Sequence, residues 1–459
     1  MKKLWFLSLL VIVLLALPVL AACGTDATES STTAPPETTA TTTPPTTTGG
    51  GTPDTTAATT PPTTVGEPMT LYVGGTFALT GAYAEDCAAV LAGMEDYVKY
   101  VNDNKIIAPW YTDRVIPANL TFELKWGDDA LAPDKALTIY EEQKAAGMLV
   151  NRITGSPEGM AMKDLLIADN IGATSQSMSP AYLVPPGNIF TTAPIYTDQM
   201  AAIGQWFLEG WKDTTKKPRV ALLTADSTLG RNVDVPELQA YLESIGFEYA
   251  GAQFVPMVPT APPTTQLAWL KDNKVDLAIG CMINPGSQPT IKEAERLGMG
   301  PDLAYKITFA FANPAHLQIY IKGMGTAGSG LVVSGDVCAQ DAPVPGIEFA
   351  NMLQDKYRPD KKNGNVMYLD GIIEGMLQVE AQRLAYLAKG KDMTSEDVLK
   401  LGFWQLKDFS VGELTVTPLT FGEGDPQGLD MVRIQQAQNG TIVELGAYPI
   451  QNIIPAPKK

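Results

Sequence analysis

Leu71–Asn102, LYVGGTFALTGAYAEDCAAVLAGMEDYVKYVN, decides the fold. Leu71–Phe77 is a short apolar run with Val, Tyr and Phe and glycine punctuation, which reads as a buried strand. Leu79-Thr80-Gly81-Ala82-Tyr83 reads as a turn carrying a hydroxyl, a glycine and an aromatic ring. From Asp86 the apolar spacing changes from a strand period of about 2 to a helix period of about 3.6. Cys87, Val90, Leu91, Met94, Val98 and Val101 share one stripe, with Glu95, Asp96, Lys99 and Asp103 opposite. Such a strand–turn–helix unit belongs to an α/β sheet, where ligands bind beyond the carboxyl ends of the strands.

Working outward, the unit repeats. Strands are expected at Leu120–Trp126, Met148–Ile153, Ile171–Ser175 and Ile189–Thr192, with helices at Pro133–Ala146, Met160–Ala168 and Thr197–Trp211 between and after them. Lys216-Lys217-Pro218 interrupts the pattern, which restarts with a buried strand at Arg219–Thr224 and a helix around Leu238–Ile245 that stops at Gly246. Further strands are expected near Tyr249–Val255, Asp276–Gly280, Ala304–Phe309 and Leu331–Ser334. Helices near Gln266–Asp272, Gln288–Leu297 and Pro314–Ile321 alternate with them. Val344–Tyr357 and Tyr368–Ala388 follow as helices, and Leu414–Leu445 as short antiparallel strands. The fold class is α/β, two units in series that suggest two lobes with mostly parallel sheets covered on both faces.

The beginning of the chain is an address. Lys2 and Lys3 precede the apolar run Leu4–Leu17, and Leu20-Ala21-Ala22-Cys23 follows, a secretory signal with small residues at the cut. The last four residues resemble the lipobox of bacterial lipoproteins, which implies cleavage after residue 22, acylation of Cys23 and anchoring to the outer face of the cytoplasmic membrane. Residues 23–68 are almost all Thr, Pro, Ala, Gly and Ser, too poor in apolar surface to fold, and read as a spacer. A net charge of −17 offers no basic face to displace counterions, so nucleic acid is excluded as a partner.

The element order, and the stretches Thr76–Tyr83, Asn188–Gln199 (NIFTTAPIYTDQ) and Thr224–Arg231 (TADSTLGR), resemble the type I periplasmic solute-binding proteins, specifically the Leu/Ile/Val-binding group of ABC importers. The resemblance implies two Rossmann-like lobes joined by hinge crossings that close on one small solute, a permease as partner, a monomer and no cofactor or metal. It implies lobe 1 at residues 69–212, lobe 2 at 213–336 and a C-terminal return at 337–459 that completes lobe 1 and the hinge. Crossings are expected near Tyr196–Pro218 and Val333–Pro345. By family position, a ligand carboxylate would meet Thr154-Gly155-Ser156 and Gln176-Ser177, with Thr80 and Tyr83 beside it. Helix N-terminal N–H groups suit that role, with capping of its own helix as the alternative use of Ser156.

The expected second wall comprises Asp226, Leu229, Met282 and Phe311, and it departs from the amino-acid binders. Leu229 stands where the family carries an aromatic residue, and Ala310-Phe311-Ala312 where an acid meets the ammonium group. An ammonium buried without a negative partner is costly, so an amino acid competes here with a related carboxylate or amide. Asp226 and Asp336 are substitutes for the missing acid or, more simply, a helix cap and a hinge residue.

With Cys23 lipidated, Cys87, Cys281 and Cys338 remain; Cys87 lies on the helical stripe as a buried thiol, and a Cys281–Cys338 bridge is left open. Catalytic signals are scarce. His316 is the only histidine, and HExxH, CxxC and GxSxG are absent. Gly323–Gly328 spells GxGxxG, but a helix precedes it and a strand follows, the reverse of a dinucleotide site. The expectation is therefore a lipid-anchored solute receptor for an ABC importer and not an enzyme. A sensor subunit on the same scaffold, a surface hydrolase and a ligand-free scaffold are the rivals.

Overall fold

β1 (Met69–Phe77) pairs in parallel with β2 (Leu120–Asp128), and α1 (Ala84–Asn104) lies between them in sequence. The computed structural model describes residues 67–312 and 323–455, which belong to one compact unit. The expected signal, Cys23, most of the spacer, helix Pro314–Ile321 and His316 lie outside the described residues.

After β2 come α2 (Pro133–Ala145), β3 (Val150–Ile153), α3 (Ser156–Ala168), β4 (Gly172–Ser175), the short α4 (Pro180–Leu183) and β5 (Ile189–Thr191). β3, β4 and β5 form a parallel three-stranded sheet beside β1. β1 and β3 share no regular ladder. The buried amide of Gln378 bridges them instead, accepting from Gly74 N at 2.7 Å and donating to Asn151 O at 2.9 Å. Buried backbone groups must find partners, and here a side chain supplies them.

The second sheet has seven strands in the order β12-β11-β10-β9-β8-β6-β7. α5 (Tyr196–Gly210) leads into β6 (Arg219–Asp226), α6 (Thr228–Arg231), α7 (Pro236–Ile245) and β7 (Glu248–Pro256). Next come α8 (Thr264–Asp272), β8 (Leu277–Cys281), α9 (Asn284–Arg296), β9 (Thr308–Ala312) and β10 (Val332–Gly335). β6 to β10 are mutually parallel, and β11 (Met431–Gln438) and β12 (Thr441–Pro449) extend the edge antiparallel. Between β10 and β11 the chain returns to the first lobe as α10 (Pro345–Tyr357) and α11 (Met367–Lys389).

Three boundaries differ from the sequence expectation. α5 packs on β8 to β12, so the chain has already crossed by Tyr196, and residues 196–212 are not part of lobe 1. β11 and β12 join the second sheet, so the C-terminal return completes lobe 1 only through α10 and α11, and the antiparallel strands start at Met431 instead of Leu414. β9 runs Thr308–Ala312 instead of Ala304–Phe309, because residues 298–305 are held in a turn by a Met299–Tyr305 bridge. No disulfide joins Cys281 to Cys338; both are buried thiols.

α1 and α11 cross with their backbones almost touching. A Cβ on Gly93 would lie 2.1 Å from Tyr368 O, and one on Gly371 2.0 Å from Val90 O. Close approach lets Tyr97, Val101, Ile372, Ile373 and Met376 bury completely, each such aliphatic side chain contributing roughly 1.5–3 kcal/mol. The expected apolar stripe of α1 is buried, but so is Asp96 from the supposed polar face. Its carboxylate accepts from Arg358 Nε at 2.8 Å, Tyr368 Oη at 3.0 Å and Lys99 Nζ at 3.1 Å. α10 and α11 cover a face that an isolated amphipathic helix would leave to water. Among the described residues no helix is long and apolar enough to cross a membrane.

Asp96→Ala removes a fully buried acceptor and is expected to lower unfolding free energy by about 3 kcal/mol in urea titration. A loss below about 1 kcal/mol would assign the Arg358 guanidinium's contribution to the half-exposed Glu95 alone.

Candidate functional site

Three strand ends of the first lobe converge. The loop after β1 brings Tyr83, the loop after β3 brings Thr154-Gly155-Ser156-Pro157, and the loop after β4 brings Gln176 and Ser177. Opposite them stand Tyr196 at the start of α5, Ser227-Thr228-Leu229 after β6, Met257 after β7 and Ile283 after β8. The two walls enclose a cavity of about 400 Å³. Leu131, from the turn after β2, closes one side.

The α3 turn is built to present backbone donors. Gly155 occupies the N-cap in extended conformation (φ −137°, ψ 176°) and offers no side-chain cap. Pro157, within the first turn, lacks an N–H, and its fixed φ suits the start of a helix. The first-turn amides therefore keep their capacity for an incoming acceptor. Ser156 is the first helical residue instead of the cap, and its hydroxyl lies 2.7 Å from Ser177 Oγ. One of this hydroxyl pair can still donate outward.

Behind that wall, polar groups fix the strand ends. Arg152 is fully buried; it donates to Thr76 O at 2.7 Å and to Gln176 Oε1 at 2.6 Å, and pairs with Glu374 at 3.0 Å. Gln176 passes the connection on, donating to Asp370 Oδ2 at 3.1 Å. Thr154 Oγ1 donates to Thr76 O at 3.0 Å. Burial, with the charges of Asp336 and Glu374 close by, pushes the Asp370 carboxyl well above the usual carboxylate range. Burial and the neighbouring Asp86 raise the Tyr83 phenol, which stays protonated and can donate.

Of the sequence candidates, Tyr83, Thr154, Gly155, Ser156, Gln176, Ser177 and Leu229 come together on this cavity. Thr80, Asp226, Met282 and Phe311 do not line it. Thr80 is exposed and its hydroxyl is held by Asp128. Asp226 is exposed and pairs with Arg231 at 2.6 Å. Met282 and Phe311 are buried in the second lobe's core, because side chains alternate along an extended chain. Ile283, the next residue, takes the cavity position, and Phe311 falls inside β9 instead of beyond it. Tyr196, Ser227 and Thr228 stood in the quoted family-like stretches but were not singled out. Pro157 belongs to the same turn as Ser156, while Leu131, Met257 and Ile283 carried no local signal.

Every side chain lining the cavity is uncharged, and the second wall is Tyr, Ser, Thr and aliphatic. Among the described residues no group of three or more His, Cys, Asp or Glu side chains is placed to hold a metal ion. The walls also touch at the cavity's flanks. Asn284 Nδ2, opening α9, donates to Asp86 Oδ2 of α1 at 3.1 Å. Asn232 Nδ2, closing α6, donates to Ser179 Oγ of the first lobe at 3.2 Å.

No curated protein matches the chain in sequence. Among solved structures, a branched-chain amino acid ABC transporter protein from Thermus thermophilus with bound valine is similar at TM-score 0.74 and 21% identity, covering 84% of this chain and 98% of that one. A fatty acid ABC transporter substrate-binding protein from Thermomonospora curvata reaches 0.70 at 19% identity, covering 85% and 96%. A Rhodopseudomonas palustris solute-binding protein in complex with 4-hydroxybenzoate reaches 0.66 at 14%, covering 84% and 99%. These likenesses establish the fold. Residues 70–441 match the family described as periplasmic binding protein, most of the chain, and with the two-lobed architecture and inter-lobe cavity this makes the protein a type I periplasmic binding protein.

Proposed function

We propose that this protein is an extracytoplasmic solute receptor, tethered through a lipid on Cys23, that closes its lobes on a small carboxylate-bearing solute and delivers it to an ABC permease. The observation that carries the reading is an uncharged inter-lobe cavity into which the uncapped first turn of α3 opens. A carboxylate there meets backbone N–H donors, the helix dipole and the Ser156–Ser177 hydroxyl pair. The rest of the solute faces Tyr83, Tyr196, Leu131, Leu229, Met257 and Ile283, so it is apolar or carries few polar groups.

An amino-acid ammonium would find no anionic side chain on either wall, which favours an acid without an amino group over a zwitterion. Valine, fatty acid and 4-hydroxybenzoate, named for the similar structures, share only the carboxylate. Closure follows from differential binding: a solute that touches both walls lowers the free energy of the closed state alone. The Asp86–Asn284 and Ser179–Asn232 hydrogen bonds exist only while the lobes are together, and so add to the closed state. Release to the permease then requires separating the lobes.

In a thermal-shift screen of the mature protein, benzoate, octanoate and similar monoacids are expected to raise the melting temperature, with valine weaker and putrescine inactive. Stabilisation by putrescine alone would refute the carboxylate site. Ser156→Ala is expected to weaken the best monoacid roughly fivefold by calorimetry, the loss of one hydrogen bond of about 1 kcal/mol. Asn284→Ala acts on closure and not on contact, so it should weaken every monoacid by one common factor of about 2 to 5. Factors that differ from ligand to ligand would place Asn284 in direct contact with solute.

A further inference from the structure

Directly behind the α3 turn lies an acid that no part of the reading above uses. Glu158 is the third residue of α3 and is 0% exposed. Its Oε2 sits 2.7 Å from where a Cβ on Gly155 would be, so it backs the segment that faces the cavity. Neither oxygen makes a hydrogen bond of sound geometry; only the backbone amides of Gly155 and of Glu158 itself are close enough to favour its charge. An ionised Glu158 would turn to those first-turn amides, as an acid at this position does in a capping box. It would then compete with a bound carboxylate for the same donors and repel it.

No side chain around Glu158 relieves the charge. Asp129, buried in the turn after β2, is the anion that faces it, and Asp129 Oδ2 has no hydrogen bond of its own. From α4 comes the Tyr182 hydroxyl, engaged with Ser177 O and 3.1 Å from Ser175 Oγ. From α2, Lys144 pairs with Asp169 at the opposite end of α3 and Lys135 is exposed. From α6 Arg231 is taken by Asp226. β4 and β5 contribute no charged side chain. Burial first, and Asp129 second, push Glu158 up to about 7.

We propose that Glu158 is the positioning residue that sets the charge of the group accepted at the α3 turn: it is a neutral acid when an anion is bound there, and binding a carboxylate draws one proton from solvent onto its side chain. The inference rests on the carboxylate reading of the cavity. A neutral Glu158 leaves the first-turn amides to the solute and places no negative charge behind them. The proton comes from buffer and returns to it on release, so the cycle balances without another reactant. Receptor affinity is thereby coupled to external pH.

The test compares wild type with Glu158→Gln, which keeps the shape and the neutral form. In ligand-free protein the folded-state value lies above the unfolded one, so protonated Glu158 adds stability that is complete below about pH 4.3 and is lost as pH rises through about 7. The wild-type melting temperature should therefore fall relative to Glu158→Gln across that window, and parallel profiles would overturn the proposal whether or not a ligand is found. In calorimetry with benzoate, wild-type affinity should weaken up to about tenfold per pH unit above neutrality. Heats in buffers of different ionisation enthalpy should show proton uptake, and Glu158→Gln should show neither effect. Benzoate binding with no pH slope, or with affinity rising with pH, would overturn the role of Glu158 alone. Absence of binding at every pH would overturn the carboxylate site and this inference with it.

Discussion

A guanidinium with no exposed surface holds the first lobe's working end together. Arg152 reaches Thr76 O after its aromatic neighbour Phe77 has covered it, with the ring centroid 4.4 Å away, and reaches Gln176 and Glu374 with its remaining nitrogens. An arginine in such a place is tolerable only because each of its charge-bearing groups is answered. Its partners come from β1, from the loop after β4 and from α11, elements hundreds of residues apart in sequence. The cluster thereby sets the relative height of three strand ends, and strand-end height decides whether the loops after them face one cavity.

The same logic recurs at the crossings between lobes. Thr192, leaving β5, donates to Asp336 Oδ2 at 3.4 Å, and Asp336 also accepts from Val337 N at 3.0 Å. Gln199 of α5 accepts from Ser334 of β10 at 2.6 Å. In the closure proposed above, short polar ties of this kind would hold the crossings in place while the lobes turn. Polarity is thus concentrated behind the cavity and at its hinge, while the cavity surface itself is neutral. Under the carboxylate reading, the buried acids would act on a bound solute's charge without touching it, because electrostatic effects act through a poorly screening interior.

Much of the architecture was legible in the alternation of apolar strands with amphipathic helices. The seven residues Leu71–Phe77 and the stripe Cys87–Val101 are strand and helix, buried where their periodicity places them. Lobe boundaries were less legible. α5 and β11–β12 carry apolar faces that fit either sheet, and no local pattern says which sheet they cover. Asp96 shows the same limit: an acid on a helix reads as solvated until another segment, here Arg358 and Tyr368, arrives to bury it.

For the site, the sequence by itself determined the loops and the residue types: glycine, serine and proline at a strand-to-helix turn, tyrosine after the first strand, and no acid where an ammonium would need one. Those features follow from local backbone chemistry, which a short segment carries within it. Only the tertiary structure decided which side chains of the second lobe face the cavity. There, a one-residue difference exchanges Met282 for Ile283, because neighbouring side chains on an extended chain point to opposite sides. It also decided that Glu158, ordinary in a first helical turn, loses its water and its counter-ions once Asp129, Leu131 and Tyr182 close over it. Burial is a property of the assembled chain, and no stretch of sequence can hold it alone.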